Sequence, residues 1–266
     1  VTHALLDRPD GLPVEWTSRR HRKGLGLRPS GARLAKVEQR WGGQPSGMSW
    51  AIGGLFAFGS ACFALGSFPF YFDAVSPTLV AWTFFVGSIA FTSAAYLQFH
   101  ETLHAPDGVL IDSPRPEPLR HLIGWRPHRI DWWAAGIQLV GTVFFNISTF
   151  AATRSGLSLG QERQLIWAPD VAGSICFLVA SWLAYAEVNR GLLPRSDRSV
   201  GWGIAALNLL GSVAFGAAAV AARYVGGTGE PANIALVNFG TGLGALCFLV
   251  GAILLPVESA RDKATV

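Results

Sequence analysis

Charge is what this 266-residue sequence has least of. Asp, Glu, Lys and Arg make up 14% of it and hydrophobic residues 50%, whereas a soluble domain carries about 25% charged residues. The deficit points to a membrane protein. Lysine is rare beside arginine, and methionine occurs once. The first residue is Val, which fits either an alternative start codon in a GC-rich bacterium or a trimmed N-terminus. The first 47 residues are polar and Arg-rich, without the apolar stretch of a signal peptide. There are three cysteines, Cys62, Cys176 and Cys247, each inside an apolar run. They read as small packing residues and not as a disulfide or thiolate site. Phosphate-loop and dinucleotide-binding fingerprints are absent, and no cofactor is expected. Arg19, Arg20, Arg22 and Lys23 suit anionic lipid headgroups better than nucleic acid, for which no accompanying fold is recognisable.

Six apolar runs are long enough to cross a bilayer, which takes about 20 residues. They cover Met48–Phe70, Thr78–Phe99, Trp132–Ala152, Val171–Val188, Val200–Ala222 and Asn233–Leu255. Pro77, Pro169 and Pro231 stand just before the even-numbered runs, as helix starts allow. The N-terminal tail, the loops after runs two and four, and the C-terminal tail hold 18 of the 21 Lys and Arg residues. The positive-inside rule then places both termini in the cytoplasm, in a bacterial inner membrane.

The runs share a pattern. Runs one, three and five contain W-x8-G-[ST]-x2-F, at Trp50-Gly59-Phe63, Trp132-Gly141-Phe145 and Trp202-Gly211-Phe215. Runs two, four and six contain G-[SA]-[IL]-[AC]-F, from Gly87 to Phe91, Gly173 to Phe177 and Gly244 to Phe248. The expected fold is an all-α membrane protein of six transmembrane helices, as three tandem, parallel two-helix hairpins; a pseudo-threefold axis follows only by analogy with mitochondrial carriers, whose signature motif is missing. Hairpins span 48–104, 132–190 and 200–258, separated by loops 105–131 and 191–199. A basic tail (1–47) precedes them, with a short amphipathic helix over Ala32–Trp41, and a tail (259–266) follows. Nine residues separate each Trp from its Gly, so at ~100° per residue the two face opposite ways. Trp50, Trp132 and Trp202 are expected at the lipid interface. The six glycines are expected where helices approach closely.

His100-Glu101-Thr102-Leu103-His104 spells H-E-x-x-H, the zinc-hydrolase helix in which two imidazoles bind metal and the Glu acts as general base. The repeat offers another account. Glu101, Glu187 and Glu258 each lie fourteen residues after the glycine of their own even-numbered run. The histidines do not recur; their counterparts are Ala186 and Arg190, then Val257 and Arg261. Zinc at His100 and His104 is therefore a minor alternative. The three Glu serve either as interfacial anchors paired with arginines such as Arg126, Arg129, Arg195 and Arg198, or as a carboxylate ring at a pore mouth. Anchoring is the preferred reading. Within the spans, Gln138 and Asn208 occupy equivalent positions, with Phe56 the third. They are expected to hydrogen-bond between helices, leaving Asn146 as the candidate for a cavity. The loop "SGLSLGQERQLIWAPD" is expected outside the cytoplasm.

The stretch "GWRPHRIDWWAAGIQLVGTVFFNISTF" followed by "WAPDVAGSICFLVASWLAYAEV" resembles bacterial membrane proteins with YrhK-type two-helix domains, over residues 124–189. The resemblance implies a membrane hairpin module and supplies no catalytic residues. The favoured function is a membrane scaffold or accessory subunit with a membrane-protein partner. The alternatives are a small channel or transporter and, last, a zinc hydrolase.

Overall fold

The computed structural model describes residues 3–7, 13–17, 28–29, 46–104, 129–189, 199–226 and 228–264. The Ala32–Trp41 segment, the Arg19–Lys23 cluster, Arg126, Arg195 and Arg198 lie outside them. In the N-terminal region, strands β1 (His3–Asp7), β2 (Pro13–Thr17) and β3 (Arg28–Pro29) form a small antiparallel sheet in the order β1-β2-β3. The region expected to be a tail thus carries a sheet.

Six helices are long and apolar enough to cross a membrane: α1 (Gly47–Ser67), α2 (Pro77–His104), α3 (Ile130–Ala152), α4 (Leu159–Asn189), α5 (Val200–Ala221) and α6 (Ile234–Ala264). Their starts follow from local chemistry. Ser46 and Ser199 cap α1 and α5 by accepting from Ser49 N–H and Trp202 N–H. Pro77 opens α2, where its missing N–H costs nothing. Ser158 and Gln161 form a capping box at α4.

Three boundaries differ from the sequence reading. Helix α4 begins at Leu159, so most of the expected outer loop is helical, and Pro169 lies inside the helix. A π turn over Arg163–Trp167 sits directly before that proline. Proline cannot donate to the preceding turn and crowds its carbonyl; a widened turn relieves both effects. Helix α2 runs on to His104, so the whole H-E-x-x-H stretch is helical. Helix α6 passes through Pro256 to Ala264, which puts Glu258 in the helix as well.

The helices pack as a closed ring in chain order, with α6 returning to α1. One end of the ring holds the starts of α1, α3 and α5 and the finishes of α2, α4 and α6; we call it the terminal end. Within each sequential pair, glycines lie backbone to backbone. A Cβ placed on Gly59 would stand 2.8 Å from Gly87 O, one on Gly173 3.1 Å from Gly141 O, and one on Gly244 2.9 Å from Gly211 O. Real Cβ atoms essentially never come within 3.0 Å of another atom, so the first and third contacts require glycine, and the second leaves a side chain room only if its neighbour shifts. Between pairs, hydroxyls bridge: Ser88 to Thr149 joins α2 to α3 at 2.9 Å, and Ser181 to Ser212 joins α4 to α5 at 2.7 Å. Helix α6 meets α1 differently. Pro256 withholds a donor from the Ala252 carbonyl four residues back, and that carbonyl lies against Gly53, 2.9 Å from where a Cβ would be. Ser46 N–H donates to Ser259 Oγ beside it.

Side-chain size sorts by face. Val140, Ile147, Ile175, Val213, Leu210, Val250 and Ile253 are exposed on the outside, where lipid would meet them, while alanines, serines and phenylalanines fill the inside. Lipid tails are as apolar as leucine, so association rests on close packing of small residues and not on hydrophobic exclusion. Gly141→Leu should therefore lower stability by about 1–3 kcal/mol. Gly54→Ala, which meets nothing within 4 Å, should stay within about 0.5 kcal/mol. Thermal melting in detergent compares the two; equal losses would refute the packing account.

Candidate functional site

The six repeated phenylalanines meet on the ring axis. Phe91, Phe177 and Phe248 form a triangle with centroids 6.2, 6.0 and 5.7 Å apart. Phe63, Phe145 and Phe215 each pack against the phenylalanine of their own pair, at 5.6, 5.1 and 5.7 Å. All six are buried. Together they make an aromatic plug across the middle of the bundle.

Between this plug and the terminal end lies a cavity of about 90 Å³. About 10–15 Å³ of such space is enough for one water, so the cavity has room for several. Its walls come from matching positions of the three helix pairs. Glu101, Glu187 and Glu258 form one set, and Gln98, Ala184 and Leu255 lie one turn deeper. Phe56, Gln138 and Asn208 form another set from the odd-numbered helices, followed toward the mouth by Ile52, Ala134 and Ile204, and then by Ser49 and Asp131. Phe248 reaches the cavity from the plug. Ten residues separate each Glu from the phenylalanine of its helix, about 15 Å at helical rise.

Glu187 and Glu258 are buried, Glu101 is half-buried, and none of the three stands without a partner. Asp131 is fully buried in the first turn of α3. It accepts from Arg129 through both carboxylate oxygens, Arg129 Nε lying 3.0 Å away, and from Trp132 N–H at 3.1 Å. Arg129, expected near a repeat Glu, thus pairs with Asp131. Gln98 Oε1 is a buried acceptor with no partner among the described residues.

The intramembrane amides exchange the roles expected of them. Gln138 and Asn208 line the cavity. Asn146 instead donates to Thr92 Oγ1 at 2.9 Å across the α2–α3 contact. Its position is out of phase with Gln138, so it faces a neighbour and not the axis. The tryptophans also divide. Trp50 is 60% exposed, but Trp132 is buried against Phe99 and Trp133. Trp202 is half-buried and donates Nε1–H to Asn189 Oδ1 at 3.2 Å. Phe99 near the end of α2 and Asn189 at the end of α4 take the contacts that lipid was expected to make.

His100 and His104 stack with centroids 3.8 Å apart, and His104 Nδ1 lies 2.8 Å from the His100 carbonyl oxygen. His104 is exposed, and neither histidine lines the cavity that Glu101 faces. No three His, Cys, Asp or Glu side chains among the described residues are grouped to hold a metal ion.

Sequence reasoning missed Asp131, Gln98 and the inward face of Phe56. The repeat could have found them: Asp131 precedes Trp132 as Ser49 precedes Trp50, and Gln98 lies three before Glu101.

Comparison with family models, with curated proteins and with solved structures finds no match to this chain. Function has to be read from the cavity itself.

Water access gives a direct check. In a background without native cysteines, Asn208→Cys should react with a membrane-impermeant cationic thiol reagent applied from the terminal end. Asn146→Cys should react at least about tenfold more slowly, since thiol reactivity follows access. Equal rates would show that the cavity is not an aqueous path.

Proposed function

We propose that the protein is a small cation channel or carrier, loaded from its terminal end and closed at mid-membrane by the aromatic plug. One observation carries this reading: equivalent positions of three helix pairs line a single cavity, with carboxylates near its mouth and amides deeper in. Carboxylates at a narrow mouth attract cations, amides replace part of the hydration shell, and an apolar constriction can gate by excluding water. The carboxylates already have partners, so a cation enters by exchange with them. The Lys and Arg distribution supports a cytoplasmic position for this end. The scaffold reading explains the packed phenylalanine half of the bundle and leaves the vestibule without a use.

Reconstituted liposomes test the proposal. Phe177→Ser should raise cation leak by roughly tenfold or more by wetting the constriction, and adding Glu101→Gln, Glu187→Gln and Glu258→Gln should reverse most of that increase. A Phe177→Ser protein that stays folded and remains as tight as empty liposomes would refute conduction along the axis.

A further inference from the structure

The vestibule walls are not chemically equal, and the inequality bears on what enters. Gln138 and Asn208 stand at matching positions of the second and third helix pairs, while the first pair has Phe56 there. Phe56 is buried and packs edge-on to Phe91, 5.4 Å away; Phe248 adds a second aromatic wall. Three Glu and Asp131 share the cavity, yet no three acidic, His or Cys side chains among the described residues are grouped to hold a metal ion. A bare divalent cation requires six or more oxygens converging within about 2.6 Å. The carboxylates here are instead spread around a space with one apolar side. The unpartnered buried oxygen of Gln98 calls for an N–H donor.

Resting on the cation reading above, we propose that the vestibule selects a compact organic cation, an alkylammonium or alkylguanidinium, over inorganic ions. Its N–H groups donate to Gln98 Oε1, to the amide oxygens of Gln138 and Asn208 and to the carboxylates. Its alkyl part lies on Phe56 and Phe248, whose ring faces also attract a positive charge. The cavity volume of about 90 Å³ suits a ligand of a few heavy atoms. A larger molecule would leave its remainder in the mouth.

The test is thermal stabilisation of the full chain in nanodiscs by methylguanidinium, potassium or magnesium chloride at matched ionic strength. Methylguanidinium should reach half-maximal stabilisation at a concentration roughly tenfold below potassium, as a cation–π contact and added hydrogen bonds would give. Phe56→Gln should remove most of that preference while leaving the potassium response in place. Gln98→Leu, which keeps the aromatic wall, should weaken methylguanidinium alone and serves if Phe56→Gln does not fold. Equal protection by potassium or magnesium, or a preference unchanged in both variants, overturns the organic-cation assignment while the cation reading survives. No protection by any of the three salts, together with leak-free Phe177→Ser liposomes, overturns both.

Discussion

Helices in a bilayer gain little by hiding apolar surface from one another, so the distance of backbone approach governs how they associate. Here that distance is set by three glycine pairs, Gly59 with Gly87, Gly141 with Gly173 and Gly211 with Gly244. Each pair brings two antiparallel helices together near mid-length. The phenylalanine four residues after each glycine shares its face, so the close contact also aims a ring at the axis. Six such rings fill the space that six helices in a circle would otherwise leave open. The plug therefore follows from the glycine contacts.

The same phase relation makes the vestibule. Positions seven and ten residues beyond the phenylalanines of α2, α4 and α6 return to the inner face, and they carry Gln98 and the three Glu. There the helices no longer meet through paired glycines, and the ring has space at its centre. Polar residues line that space, while phenylalanine rings fill the glycine-paired level. Asp131, buried on the same wall, accepts from two Arg129 nitrogens and from the Trp132 N–H. The attraction between carboxylate and guanidinium offsets much of the cost of burying the pair.

Much of this was legible in the residues. Apolar length showed the six spans, and W-x8-G-[ST]-x2-F with its partner motif marked the residues that meet at the axis. The aligned Glu101, Glu187 and Glu258 separated the acid from the two histidines around it. What escaped depended on neighbours. Asn146 and Gln138 look alike as isolated amides; only the ring arrangement determines which one meets Thr92 and which lines the cavity. Trp132 was misjudged because its cover, Phe99, lies on the neighbouring helix, and hydropathy does not show which helices touch. Pro169 read as a helix start because a proline inside a helix usually breaks it; the π turn before it could not be seen in composition.

The ring closes through its two most distant helices. Ser46 reaches Ser259, 213 residues away in sequence, and Gly53 waits for the Ala252 carbonyl. During synthesis the inner flank of α1 must therefore face lipid, or a chaperone, until the last helix has been made. Without α6, the ring would have a cleft from the vestibule into the bilayer between α5 and α1. A chain stopped before α6 would expose Ser49, Phe56 and the acidic wall sideways to acyl chains. Membrane quality control could recognise such a chain by that polar seam.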